Sequence, residues 1–228
     1  MPGPNSFPRS IDGYDFLVEL GRGTSGVVYK ARNIALRRAD VLKMPTDGPT
    51  GRALREARIL AYLTGNYEPN VVALYAVGES NGQVYFAREF VDGADLASRL
   101  RARSIELSEV VGVLAVVSRA VHRIHQEQVV HLNLEASNVL LAKDGTPKLI
   151  GFGRARLNET GPAVPPRSVA IDIHALGRMI ADAANELGEP LPEVLEAISM
   201  KCEAAGTDWG YTTAGEVAFA LERYHRGE

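Results

Sequence analysis

The segment Gly21-Arg-Gly-Thr-Ser-Gly26-Val-Val28 decides the fold, because of what flanks its three glycines. Before it, residues 14–20 alternate apolar and polar side chains with a mostly clean period of two, which predicts a strand. After it, Val27-Val-Tyr-Lys-Ala31 predicts a second strand. A dinucleotide-binding turn has the same glycine spacing but continues into a helix. The sequence therefore predicts strand, loop and strand. From this motif alone, a glycine-rich hairpin without a ligand is an equal alternative.

The rest of the first part of the chain predicts a small sheet with one helix. Asp40-Val-Leu-Lys-Met44 has the composition of a short strand. From Gly51 to Leu63, apolar residues recur at helical spacing, with arginine and glutamate on the other face. Residues 71–77 and 84–90 then predict two strands joined by the turn Ser80-Asn-Gly82.

The second part of the chain has mostly helical patterns. Lys143-Asp-Gly145 predicts a hairpin turn between short strands over 139–142 and 147–150, and Gly153 to Arg167 predicts a loop. The predicted helices are Ser108–Gln126, Ala170–Asn185, Leu191–Ala204 and a last one that begins with a capping box at Thr213–Glu216 and ends at Tyr224.

These elements predict an α+β fold of two lobes. A small antiparallel β-lobe with one helix covers residues 11–91, and a helical lobe covers residues 92–228. Residues 1–10 contain three prolines and are predicted to be a disordered lead-in. Because ligands often bind between two such lobes, the cleft is the place to expect a site.

Composition excludes several classes of partner. The net charge of -3 gives no reason to expect nucleic acid, and no run reaches the roughly 18 apolar residues that a membrane span needs. Cys202 is the only cysteine, which excludes an internal disulfide framework and fits a reducing cytoplasm. We therefore expect a cytoplasmic protein with no nucleic acid or membrane partner.

A series of motifs occurs in the order of a protein kinase domain, and the chain resembles that family in its bacterial Ser/Thr type. The motifs are the glycine loop Gly21–Val28, Lys43, Glu56 in Leu54-Arg-Glu-Ala57, Glu89-Phe-Val-Asp-Gly-Ala-Asp-Leu96, His131-Leu-Asn-Leu-Glu-Ala-Ser-Asn-Val-Leu-Leu141, Gly151-Phe-Gly153 and Asp172-Ile-His-Ala-Leu-Gly177. The resemblance covers Tyr14 to about Tyr224. It implies a two-lobed kinase fold with a shortened helical C-lobe and a short activation segment.

The same resemblance implies that the groups for phosphoryl transfer are absent. Asn133 stands where the family has the carboxylate that accepts the hydroxyl proton, and an amide cannot take that proton near neutral pH. Gly151 replaces the carboxylate that holds magnesium, and Glu135 replaces the lysine beside the γ-phosphate. We therefore expect a pseudokinase with no catalytic residue and no metal. A rearranged metal site of Glu135 and Asn138 is an alternative.

For the nucleotide pocket the resemblance implies a mixed outcome. The retained positions are Gly21, Gly23, Gly26, Val28, Lys43, Glu56, Asn138 and Leu140. Val41 replaces a small alanine and narrows the slot for adenine, and Arg88 lies at the back of the pocket. A buried arginine needs a partner, so Arg88 is predicted to compete with Lys43 for Glu56 and to leave the pocket closed or already filled by charge. The expected cofactor is none, or ATP without metal.

The framework positions of the family are also present. The resemblance implies a column of Leu60, Phe152 and His131 that links the lobes, with Asp172 anchoring it from below. The leading expectation is a non-catalytic signalling module that acts as a scaffold or allosteric partner of another protein. The alternatives are a metal-independent ATP-binding sensor and a residual kinase of unusual mechanism.

Overall fold

The computed structural model describes residues 11–23, 26–46, 51–66, 68–80, 82–158 and 164–228, and the predicted lead-in over 1–10 lies outside them. The elements of the first lobe are β1 (Tyr14–Gly23), β2 (Gly26–Asn33), β3 (Arg38–Met44), α1 (Arg52–Gly65), β4 (Leu74–Ser80) and β5 (Gln83–Glu89). Those of the second are β6 (Gly93–Asp95), α2 (Leu96–Arg101), α3 (Leu107–Gln126), β7 (Val129–Val130), β8 (Val139–Ala142), β9 (Pro147–Leu149), β10 (Arg156–Leu157), α4 (Pro166–Leu187), α5 (Glu193–Glu203) and α6 (Ala214–His225).

The first five strands form one antiparallel sheet in the order β1-β2-β3-β5-β4. Val28 lies opposite Lys43, and Val41 lies opposite Arg88. Residues that face each other across an antiparallel pair point to the same side, as do residues two apart on one strand. These four side chains therefore share one face of the sheet, the face toward the second lobe. The other face buries a separate small apolar cluster around Leu42.

The main hydrophobic core lies in the helical lobe and extends to α1. The apolar stripe of α3 is buried as predicted, and α3 packs against α4 and α6. Leu60 and Leu63 of α1 belong to the same buried cluster. At the end of α1, Asn66 Nδ2 donates to Glu127 Oε2 at 2.6 Å. The helix that carries Glu56 is thus fixed to the second lobe as well as to the sheet.

Two element ends differ from their predictions. β4 begins at Leu74 rather than at residue 71, because Val71 and Val72 instead join Leu149 of the other lobe. Val71 forms a parallel bridge with Leu149, and Val72 N donates to Leu149 O at 3.1 Å. α4 begins at Pro166, inside the segment predicted to be loop. Proline has the backbone angle of a first helical residue, so it begins this helix rather than excluding it.

Other local predictions are confirmed. Thr213 and Glu216 form the capping box of α6, with Glu216 N donating to Thr213 Oγ1 at 3.3 Å. The hairpin of β8 and β9 turns at Gly145, whose φ of 85° is in the left-handed region. None of the helices in the described part of the chain combines the length and the apolar character that a membrane crossing requires.

Candidate functional site

Glu56 holds two cations at the back of the cleft. Lys43 Nζ donates to Glu56 Oε2 at 2.6 Å, and Arg88 Nη1 donates to Glu56 Oε1 at 3.4 Å. The register of β3 and β5 places both cations on the sheet face that α1 covers, where Glu56 is only 5% exposed. The two cations share the carboxylate, one on each oxygen, so Arg88 does not displace Lys43.

An open cavity of about 390 Å³ lies on the outer side of this triad. Val28 and Val41 from the sheet and Leu140 and Ile150 from the other lobe give it apolar walls, and Arg88 forms part of its lining. Of the two predicted outcomes, a closed pocket or one filled by charge, the closed pocket is wrong, because an arginine that is bound back to Glu56 leaves the space between the lobes free. Val41 is buried and lines the wall of this cavity.

The three loop glycines have different surroundings. Gly21 lines the outer cavity, and Gly23 is exposed at the end of β1. Gly26 has a φ of 145°, and a Cβ on it would lie 2.2 Å from the backbone oxygen of Met44. Gly26 is thus required by the close approach of β2 and β3, whatever the cleft binds. The tip of the loop, residues 24–25, lies outside the described residues.

A second, smaller cavity of about 230 Å³ lies on the inner side of the triad. It shares Arg88 and Ile150 with the outer cavity, so the two adjoin. Its lining residues are Lys43, Arg52, Glu56, Arg88, Asn133, Ile150, Gly151, Gly153 and Arg154. The outer compartment of the cleft is therefore mostly apolar, and the inner compartment is mostly charged.

The loop after β7 is anchored on its core side by Asp172 of α4, which is fully buried. His131 N donates to Asp172 Oδ2, and Leu132 N donates to Asp172 Oδ1, each at 2.8 Å. His125 of α3 donates from Nε2 to Asp172 Oδ2, also at 2.8 Å. Leu132 has a φ of 59°, an uncommon value for leucine that these two backbone hydrogen bonds fix.

The side chain of His131 extends the anchor into the column that links the lobes. Its ring lies 4.5 Å from the ring of Phe152, centroid to centroid, and Phe152 and Leu60 are buried. His131 Nε2 donates to Ile150 O at 2.9 Å, and Asn133 N donates to His131 Nδ1 at 3.2 Å. Burial lowers the pKa of His131, because the charged ring would lose its hydration. The predicted column is thus assembled around a neutral imidazole.

Asn138 occupies the space beside Gly151. Its Nδ2 donates to Asn133 O at 2.9 Å and to Glu135 Oε1 at 3.1 Å. Gly151 has a φ of 87°, and a Cβ on it would lie 2.5 Å from Asn138 Oδ1. A side chain at position 151 would therefore have to move the amide of Asn138. Glu135 is exposed and also accepts from Ser137 Oγ at 2.9 Å.

These residues do not fit the magnesium ion that active protein kinases hold beside the nucleotide phosphates. Within the described residues, no group of three or more histidine, cysteine, aspartate or glutamate side chains could hold a metal ion. Magnesium needs several hard oxygen ligands in near-octahedral geometry. Here Gly151 offers no side chain, and the amide nitrogen of Asn138 faces the carboxylate of Glu135.

The sequence reasoning missed three residues that the structure brings to this region. Arg52 lies one helical turn before Glu56 on α1, and Arg154 lies two residues after Phe152, so both spacings could have placed them at the inner cavity. His125 could not have been assigned to Asp172 from spacing alone, because the two lie on different helices.

Proteins with similar sequences include several protein kinases. The sequence profile described as protein kinase domain matches residues 14–185. Serine/threonine-protein kinase PknJ of Mycobacterium tuberculosis is 34% identical over 160 residues, which is 65% of this chain and 27% of PknJ. PknF of the same species is 33% identical over 144 residues, 59% of this chain and 30% of PknF. Human cyclin-dependent kinase 9 is 30% identical over 163 residues, 66% of this chain and 43% of that kinase. The chain spans less than half the length of each of these relatives.

Proposed function

This chain belongs to the protein kinase domain family, and from that premise we propose that it is a pseudokinase, a module without phosphotransfer activity that acts as a scaffold or allosteric partner in signalling. The observation that carries the proposal is the pair Asn133 and Gly151, at the two positions where the family has carboxylates. An amide cannot serve as a proton acceptor near neutral pH, and a glycine cannot hold a metal.

The surroundings of Gly151 support the same proposal. Because Asn138 fills the space beside Gly151, a neighbouring residue could supply a metal ligand there only if the amide moved. Glu135 brings a negative charge to a position where the family has a positive one, and this charge would repel a transferred phosphate. The groups that would orient the hydroxyl, hold the metal and neutralise the phosphate are changed together.

A protein partner is part of the proposal, since a module without turnover acts through what it binds. The assembled column and the Lys43–Glu56 ion pair support a stable kinase-like shape for a partner to recognise. The net charge of -3 favours a protein over a nucleic acid as this partner. We also propose a cytoplasmic location, which the single unpaired thiol of Cys202 supports.

A phosphotransfer assay tests the proposal. Wild type and Lys43→Ala are incubated with radiolabelled ATP and magnesium, with generic protein substrates and alone, beside an active Ser/Thr kinase that proves the assay. We expect the two variants to give the same background signal. Turnover in wild type that is lost in Lys43→Ala would show that the chain is a kinase and would reject the proposal.

The names of the relatives support residual kinase activity as a competing proposal. In that case Glu135 and Asn138 would hold the metal in a rearranged site. Metal-dependent phosphate release that disappears in Glu135→Ala would support this alternative, and an unchanged background in Glu135→Ala would count against it.

A second candidate function is an ATP-binding sensor that needs no metal. The open outer cavity with apolar walls beside Lys43 and Glu56 favours it. Ligand at a hundred times its dissociation constant stabilises the folded protein by about 2.7 kcal/mol, a shift of several degrees in a thermal melt. We expect such a shift with ATP and no magnesium, and its loss in Lys43→Ala. The absence of any shift in wild type would leave the protein surface as the functional part.

A further inference from the structure

The inner cavity carries an uneven balance of charge. Lys43, Arg52, Arg88 and Arg154 line it together with a single carboxylate, that of Glu56. Lys43, Arg88 and Arg154 against Glu56 alone leave a net charge of +2 around a space of about 230 Å³. Cavities of this kind attract and concentrate anions.

Two of the positive charges are buried. The side chains of Lys43 and Arg88 are only 11% and 12% exposed, and Glu56 is the carboxylate that both of them contact. One carboxylate balances one unit of charge, so this buried triad keeps an excess positive charge. Within the described residues, the buried Nε of Arg88 also has no hydrogen-bond partner. Buried cations are normally paired, which points to a missing anion.

The residues around the cavity are unsuited to a metal ion. A dication would add to the positive charge of the lining. Gly151 offers it no ligand, and the amide nitrogen of Asn138 is turned toward Glu135. An anion that arrives bound to magnesium would bring two positive charges into the cavity and would lose part of its own charge. The lining therefore favours the free anion over its magnesium complex.

We propose that the inner cavity binds a metal-free polyphosphate, with Arg88 and Arg154 as contacts beside Lys43, and that magnesium weakens this binding. The polyphosphate comes either from a nucleotide, whose base would enter the adjoining outer cavity, or from inorganic polyphosphate. For the nucleotide source the inference rests on the second candidate function given above. It is independent of the loss of phosphotransfer, which is measured by turnover.

Calorimetric titration with inorganic triphosphate, ATP and adenosine tests this proposal. Each titration is done without magnesium and with excess magnesium, at matched ionic strength. The variants are Arg88→Met and Arg154→Gln. Arg156→Gln is the matched control, because Arg156 is an exposed arginine two positions further on that does not line the cavity. Arg154 is exposed as well, so its substitution leaves the fold intact and keeps the test valid if Arg88→Met fails to fold.

We expect triphosphate to bind without magnesium and to lose about tenfold or more in affinity when magnesium is added. Arg154→Gln and Arg88→Met lower the affinity by about tenfold, as for a charge-assisted hydrogen bond, and Arg156→Gln leaves it unchanged. ATP that binds at least as tightly as triphosphate identifies the nucleotide source, and triphosphate that binds more tightly than ATP identifies the inorganic source. Tighter binding with magnesium, equal losses in Arg154→Gln and Arg156→Gln, or binding of adenosine but not of triphosphate would each overturn the proposal.

Discussion

The two sides of the loop that begins at His131 differ in what holds them. Toward the core, the backbone N–H groups of His131 and Leu132 donate to the buried carboxylate of Asp172. Toward the cleft, Asn133 lines the inner cavity, and Glu135 is exposed with only local hydrogen bonds. The fold depends on the first side, and the chemistry of a kinase would depend on the second. Because different atoms of the same loop are involved, the residues on the cleft side can differ without a change in the anchor on the core side.

The largest loss of stability is expected from a substitution on the core side of the loop. Asp172→Asn replaces one acceptor oxygen by an NH2 group that faces donors, whichever way the amide turns. Because the site is fully buried, we expect a loss of about 3–5 kcal/mol in the free energy of unfolding. Chemical denaturation measures it. Asp182→Asn on the same helix is exposed and is the control, with a change within about 0.5 kcal/mol. Equal effects of the two substitutions would contradict the role of Asp172 as an anchor.

The next effect concerns the space beside Gly151. Gly151→Ala puts a Cβ at a φ of 87° and 2.5 Å from Asn138 Oδ1, and we expect a loss of about 1–3 kcal/mol in the free energy of unfolding. Gly145→Ala is the matched control, because Gly145 has a φ of 85° and open space around it. In Gly145→Ala we expect only the backbone strain, a loss of about 1 kcal/mol in the free energy of unfolding.

The difference between these two alanine variants measures the contact with Asn138. If Gly145→Ala lowers the free energy of unfolding as much as Gly151→Ala does, then Asn138 moves away without a loss of stability. In that case the amide does not block a side chain at position 151. A larger cost at Gly151 supports a site in which the amide of Asn138 occupies the space that a side chain at position 151 would need.

Features that a local pattern defines could be predicted from the sequence, and features that depend on contacts between distant segments could not. The strand period before Gly21, the capping box at Thr213 and the ion pair of Lys43 with Glu56 were predictable, because a local pattern or a motif defines each of them. The sequence predicted that Arg88 competes with Lys43 for Glu56, whereas the structure shows that the two share it. The sequence does not reveal that each carboxylate oxygen faces a different strand.

Other features depend on distant packing and had no local signal. The amide of Asn138 beside Gly151 results from the way the loop folds back on the strand pair after it. β4 starts later than predicted because Val71 and Val72 contact Leu149 in the other lobe. The sequence therefore predicted many of the residues that meet in the cleft, but not Arg52 and Arg154, and not the space that remains between them.

A smaller effect should appear in the pH dependence of stability. The pKa of His131 is lowered from 6.5 by burial, so below about pH 6.5 the unfolded chain binds a proton that the folded chain does not. The stabilisation is complete above 6.5 and is lost as the pH falls toward the folded pKa, with a slope of at most about 1.4 kcal/mol per pH unit.

Denaturation of wild type and His131→Phe at pH 7.5 and at pH 5.5 measures this term. Phenylalanine keeps a ring beside Phe152 but does not titrate, so the variant should lose less stability between the two pH values than wild type. His122→Phe is the comparison variant: the pKa of His122 is also lowered by burial, but this residue is only half-buried on α3, so its substitution should change the pH dependence less than His131→Phe does. If His131→Phe and wild type lose the same amount, the imidazole of His131 is not the group that titrates.

The smallest effect is expected on the cleft side, where Glu135→Gln makes the same carboxylate-to-amide change as Asp172→Asn. Glu135 is exposed, and the amide oxygen of glutamine can still accept from Ser137 Oγ and Asn138 Nδ2. We expect the free energy of unfolding to change by less than about 0.5 kcal/mol. A loss above about 1 kcal/mol would mean that the cleft side also supports the fold. One chemical change, made on both sides of one loop, thus measures directly how far the framework of this kinase fold is separated from the residues that face its cleft.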